Sequence, residues 1–360
     1  ALDANTTADG NTAVGKNALG AKTTGNNNTA VGRSALDANV TNVSNCAFGN
    51  SALTNSTSDY NNAFGDGALS TLSTGNKNCA FGYQSLDHVT TGNNNAAFGH
   101  QTATAITTGG HNTALGDRAL AAQTTVSYNT AVGYAAAYTN TSGDYLVAVG
   151  SGALFANTTG SNNTAVGRDS LTSNTTGSQN TAVGKGALQN NSTGADNTAV
   201  GDNALVANTT GSYNTGLGHN AGASNTTGQN NVYVGENAGD AFTTADDCTV
   251  IGVGAFTTAT DGSDNTGVGR AAGNSTTTGY RNTFIGNSAG SRNTTGFRNT
   301  AIGDISMAST GQTGSNNTVI GYNAQLATDS TSNNIVLGDG SITHLRCLQT
   351  SISGLSDARD

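Results

Sequence analysis

The sequence predicts an all-β protein, a parallel β-solenoid or β-roll of about twenty coils with 17 residues in each coil. The first observation is a repeat: one position holds a glycine preceded by Val, Phe, Leu or Ile in twenty successive units from Gly15 to Gly338, and seventeen of the nineteen intervals are 17 residues. The second observation is composition, with 50 Gly, no Pro, no Trp and 5% aromatic residues in 360. So few large apolar residues cannot fill a thick globular core, whereas a repeat protein needs only a thin one.

Each repeat contains two short apolar patches separated by turns. The unit from Asn180 to Asp196 reads NTAVGKGALQNNSTGAD, and we call the glycine of its AVG the anchor glycine. A second patch, usually Ala-Leu, begins three residues after the anchor glycine. A unit of this length is too short for a helix pair, so we expect one solenoid coil with two short parallel strands.

Stacked coils place identical residues in columns about 4.8 Å apart. Asn occupies the position four before the anchor glycine in eighteen of the twenty units, and stacked Asn side chains can hydrogen-bond along a column. The predicted ladder consists of Asn163, Asn180, Asn197, Asn214, Val166, Val183, Val200, Gly167, Gly184 and Gly201. The variable position after the anchor glycine is predicted to face solvent, and its candidate surface-contact residues are Tyr83, Tyr134 and Tyr322.

Two neighbouring apolar residues in each patch indicate lateral association. Adjacent residues of a strand point to opposite faces, yet Ala165 and Val166 are both apolar, as are Ala187 and Leu188. We expect Val in the core and the small residues outside. Two such outer columns over twenty coils would expose a long apolar stripe, so a parallel homotrimer is predicted. A monomeric solenoid with small residues outside is the alternative.

The columns change along the chain and divide it into sections. From about residue 215 the Leu four residues after the anchor glycine is replaced by Gly in four coils. In the same region larger residues, such as Tyr233 and Phe284, replace the Ala two residues before the anchor glycine. We therefore expect Ala/Leu-type coils over 1–214, Gly/bulky-type coils over 215–345 and a C-terminal connector over 346–360.

Two stretches resemble known families. The NTAVG strand resembles the NSVAIG repeats in the heads of trimeric autotransporter adhesins, although that family has a shorter period. The 17-residue form is more similar to fibre proteins of tailed phages. SISGLSDARD, at 351–360, resembles the start of the intramolecular chaperone domain of the S74 peptidase family in Leu355, Ser356, Asp357 and Arg359. That resemblance implies self-cleavage between Ser356 and Asp357; the Lys that the family pairs with the Ser would fall just past Asp360.

These resemblances imply a structural, receptor-binding fibre of a virus particle, a phage tail fibre found on the virion outside the cell. Its partners would be itself, as a homotrimer, other virion tail proteins, and a glycan or protein receptor on the host surface. A bacterial trimeric autotransporter-type adhesin is the alternative, followed by an ice-binding solenoid or a polysaccharide depolymerase. Ice-binding rolls present two flat ranks as Thr-x-Thr on one strand, whereas the second rank here is Val, which we expect in the core, and this argues against that class.

Composition and spacing argue against other classes. The net charge of −9 without a basic run argues against nucleic acid as a partner, and no 18-residue apolar stretch is available for membrane insertion. No metal or cofactor is expected, since no metal-ligand spacing occurs among the four cysteines, which we predict to be free thiols: Cys46, Cys79, Cys248 and Cys347. The nearest carboxylate pairs for glycoside hydrolysis lie in turn-forming arcs, so no enzyme is predicted: Asp246 with Asp247, and Asp261 with Asp264.

Overall fold

A computed structural model describes residues 6–22, 24–309 and 311–342, which form one continuous parallel β-solenoid. It contains twenty strands of three residues each. They are β1 Thr12–Val14, β2 Thr29–Val31, β3 Cys46–Phe48, β4 Asn62–Phe64, β5 Cys79–Phe81, β6 Ala96–Phe98, β7 Thr113–Leu115, β8 Thr130–Val132, β9 Val147–Val149, β10 Thr164–Val166, β11 Thr181–Val183, β12 Thr198–Val200, β13 Thr215–Leu217, β14 Val232–Val234, β15 Thr249–Ile251, β16 Thr266–Val268, β17 Thr283–Ile285, β18 Thr300–Ile302, β19 Thr318–Ile320 and β20 Ile335–Leu337.

Each strand pairs in parallel with the strand of the next coil, and equivalent residues lie opposite each other. Thr181 lies opposite Thr198, and Val183 lies opposite Val200. The same register continues across residue 215, where Thr198 lies opposite Thr215. The predicted parallel solenoid with 17-residue coils is therefore confirmed, and at about 4.8 Å for each of nineteen turns the rod is about 90 Å long.

The second apolar patch of each coil is a turn, so the prediction of two strands in each coil is wrong. Leu188 has φ of 51°, and its N–H donates to the carbonyl of Ala204 in the next coil at 3.0 Å. Side chains alternate between faces only along an extended backbone. Here the left-handed residue redirects the chain, so Ala187 and Leu188 both lie fully buried, and the outer column predicted from this patch does not exist.

The strand also faces the opposite way from the prediction. Asn180, just before β11, is buried, and alternation then turns Ala182 inward and Val183 outward. Ala182 is fully buried, whereas Val183 is 37% exposed. The expectation that the Val column forms the core is wrong for Val166, Val183 and Val200, because the buried Asn sets the phase of the strand. We call the first and third residues of β1–β20, which point outward, the outer strand face.

The predicted pairing of a large side chain in one patch with a Gly in the other is confirmed in the core. Phe284 and Phe256 are fully buried, and their rings stack at 5.8 Å between centroids. A Cβ at Gly290 would lie 2.5 Å from the ring of Phe284, and one at Gly273 would lie 2.7 Å from the ring of Phe256. The missing side chains thus make room for the aromatic rings.

Candidate functional site

The outer strand face is the most regular surface of the molecule. The third residue of every strand is Val, Phe, Leu or Ile, and the first is Thr in thirteen of the twenty. These residues form two straight ranks, because every strand is paired in register with the next. The more exposed members of the third-residue rank include Val14, Phe98, Leu115, Val183, Leu217, Ile251, Ile285, Ile302, Ile320 and Leu337.

The Asn column before the strands holds successive coils in register. Asn197 is fully buried, and its backbone N–H donates to Oδ1 of Asn180 at 3.0 Å. Its own Oδ1 accepts the N–H of Asn214 at 2.9 Å, and its Nδ2 donates to the carbonyl of Gly211 at 2.8 Å. The N–H of Asn180 donates to Oδ1 of Asn163 at 2.9 Å in the same way. Each Asn therefore ties its own coil to those on both sides.

A second Asn column, seven residues after the anchor glycine, escaped the sequence reasoning. Its side chains are buried, and from Asn157 onward each Nδ2 donates to Oδ1 of the preceding Asn at 2.8–3.0 Å. The column consists of Asn140, Asn157, Asn174, Asn191, Asn208 and Asn225. The recurring Asn of the NTTG segments was its signal, but the polar neighbours made that segment look like a solvent-facing arc.

Replacing Asn197 with Ala is expected to destabilise the solenoid by about 1–3 kcal/mol, since it leaves the buried N–H of Asn214 without its acceptor, while the carbonyl of Gly211 keeps the bond from Nδ2 of Asn208. Urea unfolding followed by circular dichroism measures the change. Asn190→Ala is the control, because the side chain of Asn190 is exposed outside the column and its backbone is not in the left-handed region that would strain an Ala. Equal losses for both variants would contradict the ladder.

Polar and aromatic residues line the variable position beside the outer strand face. Lys185 lies 4.0 Å from Asp202 of the next coil, in solvent. Tyr83 is half-exposed and stacks on His100 at 5.4 Å between centroids. Tyr134 and Tyr322 are more than half exposed. The three predicted surface tyrosines therefore lie in solvent, spread along the rod in separate coils.

Two free thiols lie on the outer strand face and a third lies inside the coil. Cys46 and Cys79 begin β3 and β5, and partial burial raises the pKa of both thiols. Cys248 replaces an Asn of the first column, and its Sγ donates to the carbonyl of Gly262 at 3.4 Å. Burial raises the pKa of Cys248 to about 12. These three are free thiols, as predicted, whereas Cys347 lies outside the described residues.

The carboxylates singled out as the nearest hydrolase candidates serve as turn partners. Asp246 accepts the N–H of Gln229 at 2.7 Å, and Asp261 accepts the hydroxyl of Thr244 at 3.1 Å. Asp264 lies 3.3 Å from the guanidinium of Arg281.

Within the described residues, no cluster of three His, Cys, Asp or Glu side chains could hold a metal ion. Over that part of the chain, no helix has the length and apolar character needed to cross a membrane. Ser356 and Asp357 of the predicted self-cleavage junction, and the connector 346–360, lie outside the described residues.

Comparison with known proteins identifies no relative: no protein family matches the chain, and neither does any curated protein or any solved structure.

Proposed function

We propose that the protein is a structural, receptor-binding fibre of a virus particle, a phage tail fibre, that works as a parallel homotrimer. The outer strand face carries this proposal, because an apolar residue points outward from each of the twenty strands. About 90 Å of rod and roughly 10 Å of strand give an area of about 900 Å² on each chain. The third-residue rank is the apolar half of this face, and the whole face is close to the about 800 Å² that each partner buries in a stable complex.

The mechanism of such a fibre is mechanical and multivalent. A rod whose coils are tied together by a column of buried Asn, with a second such column in six of the coils, would project a distal tip from the particle towards the host surface. Weak contacts with a surface glycan or protein, repeated in three chains, add up through high effective concentration. The resemblance of the NTAVG strands to trimeric adhesin heads and of Leu355–Arg359 to the S74 chaperone supports this reading, with the virion as location and other tail proteins as partners.

The mass of the purified chain in solution tests the assembly. Light scattering after gel filtration is expected to give about three times the 35.6 kDa of one chain. The trimer, labelled with a fluorophore, is expected to bind saturably to cells of some strains in a panel of bacteria. It is expected to bind more tightly than a variant that has lost the association and stays monomeric. A mass near that of one chain would overturn the trimer, and equal binding by trimer and monomer would overturn the avidity mechanism.

The rival bacterial adhesin differs in the segment that comes after the repeats. Sequencing the gene past Asp360 is expected to give a Lys and then a helical chaperone domain. A heptad stalk that ends in a membrane-barrel segment would instead identify the adhesin.

Ice binding is the second candidate, because half of the ground for setting it aside is wrong: the second rank is Val and not Thr, but it does not lie in the core. Thr181 and Val183 both point outward, so each strand does present two ranks. Faceted ice crystals grown with the chain would support this function, and unmodified discs would exclude it. A trimer sealed along the outer strand face would cover the same ranks, so ice shaping is expected only from a chain that stays monomeric.

A further inference from the structure

Four consecutive coils near the N-terminal end interrupt the uniform outer strand face. In β3–β6 the third residue is Phe, and the four rings stack at 4.9, 4.4 and 4.9 Å between centroids with planes 8° apart. The same four strands lack Thr at their first residue, whereas thirteen of the other sixteen have it. We call this segment the Phe patch; it comprises Phe48, Phe64, Phe81 and Phe98 with Cys46, Asn62, Cys79 and Ala96.

The Phe patch is the least polar part of the face. Three of its four first-rank residues carry no hydroxyl or amide, and partial burial raises the pKa of the Cys46 and Cys79 thiols. Stacking covers the faces of the rings and leaves their apolar edges outward, with Phe98 38% exposed. Tyr60 and Tyr83 stand about half exposed beside the patch and widen it.

Where neighbouring coils are identical, the repeat leaves the alignment of two chains undetermined. Strands β10, β11 and β12 each present Thr and Val, so a neighbouring chain shifted by one coil meets the same side chains. A uniform face therefore permits slippage, as flat and repetitive strands do generally. A unique segment within the face removes this degeneracy.

The occupant that fits the Phe patch is a second copy of the chain. Four coils cover only about 20 Å by 10 Å, far less than a stable complex buries. The patch reaches a sufficient area only with the rest of the outer strand face, and a partner must then repeat at the same spacing over about 90 Å. Because the patch lies in strands 3–6 of twenty, overlap of the two whole faces brings all four Phe levels together only between parallel chains without a shift.

We propose that the Phe patch sets the register of the parallel assembly, in which the outer strand faces of the copies meet and each Phe lies at the level of its own counterpart. This inference rests on the proposed homotrimer. A shift of one coil leaves three matched Phe levels instead of four and creates a mismatched level at each end of the patch, whereas two adjacent Thr-Val coils can exchange levels without loss.

The two thiols of the patch report the register directly. Cys46 and Cys79 lie two coils, or about 9.6 Å, apart on the same rank. A thiol cross-linker shorter than this separation is expected to join Cys46 to Cys46 and Cys79 to Cys79 in the full-length wild-type assembly. Peptide mass mapping identifies the links, and Cys46 joined to Cys79 marks a slip of two coils.

The variant that tests the proposal changes all four Phe to Val, the residue that most other coils carry there. We expect the cross-links of this variant to include Cys46 to Cys79. We also expect its assembly to dissociate on dilution at a protein concentration at least about 10-fold higher than the wild-type assembly does. Phe155→Val is the control: Phe155 is as exposed as Phe98 but lies off the strands, at a position where a later coil has Val206. It is expected to keep the wild-type links and dissociation.

The outcomes separate the two proposals. Links only between identical cysteines in both the wild type and the quadruple variant would overturn the register role. Links between Cys46 and Cys79, or no links at all, in a wild-type trimer would overturn it too. The proposed trimer would stand in each of these cases. A wild-type chain that is monomeric at all concentrations would overturn the proposed homotrimer instead. Circular dichroism confirms that each variant retains the solenoid.

Discussion

Gly184→Ala is expected to destabilise the solenoid by about 3–5 kcal/mol. Gly184 is an anchor glycine with φ of 134°, a conformation that is strained for any residue with a Cβ. A Cβ there would lie 2.4 Å from the carbonyl oxygen of Gly201 in the next coil. That oxygen belongs to the backbone of a stacked coil, so relief requires the coils to separate and their ladder bonds to lengthen.

Gly186→Asn is the matched control within the same coil. Gly186 has φ of 66°, and the nearest atom to its Cβ would be the flexible Oδ1 of Asn203. Asn203 and Asn220 hold the same position in the next coils at φ of 55°. This change is expected to cost less than about 1 kcal/mol. Thermal unfolding, with hydrogen exchange at the neighbouring coils, measures both variants; equal effects would contradict a special role for the anchor glycine.

Phe284→Ala is expected to cost about 3–5 kcal/mol, because it empties the centre of a coil whose opposite patch has no side chain to fill the space. Gly290→Leu alone is expected to be destabilising as well, since its Cβ would already lie 2.5 Å from the Phe284 ring. The double variant recreates the Ala-and-Leu coil seen at Ala182 and Leu188.

The double variant is therefore expected to recover at least about 2 kcal/mol relative to the sum of the single changes. The backbone suits the new Leu, because Gly290 has φ of 60° and Leu188 has φ of 51°. Chemical unfolding of the wild type, both single variants and the double variant completes the cycle. Additive losses would show that the two patches do not fill one shared space.

Local chemistry explains why parts of the structure were predictable. The anchor glycines recur at the coil period because each one faces the backbone of the next coil, a constraint that appears in sequence as an invariant letter. The replacement of Leu by Gly opposite Phe284 could be predicted for a similar reason. The Ala column of the strand gained larger residues in the same region of the chain in which the Leu column of the second patch changed to Gly. The first Asn column could be predicted because identical Asn side chains in stacked coils can hydrogen-bond to one another.

The orientation of the strand was not predictable from apolar pattern alone. Ala182 and Val183 are adjacent and both apolar, and size suggested that Val belongs inside. The buried Asn180 decides otherwise, because its side chain accepts the N–H of Asn197 and donates to the carbonyl of Gly194, and so must point inward. The second patch failed as a strand for a different reason, since Leu188 adopts a left-handed conformation that residue type does not favour.

The sequence alone determined the period, the parallel stacking in register and the columns that recur, because like residues can stack only if one repeat closes one turn of backbone. Only the tertiary structure decided which apolar column faces outward, since the phase of a three-residue strand depends on hydrogen bonds made between coils. That decision placed Val and Phe on the surface and so gave the rod its outer strand face.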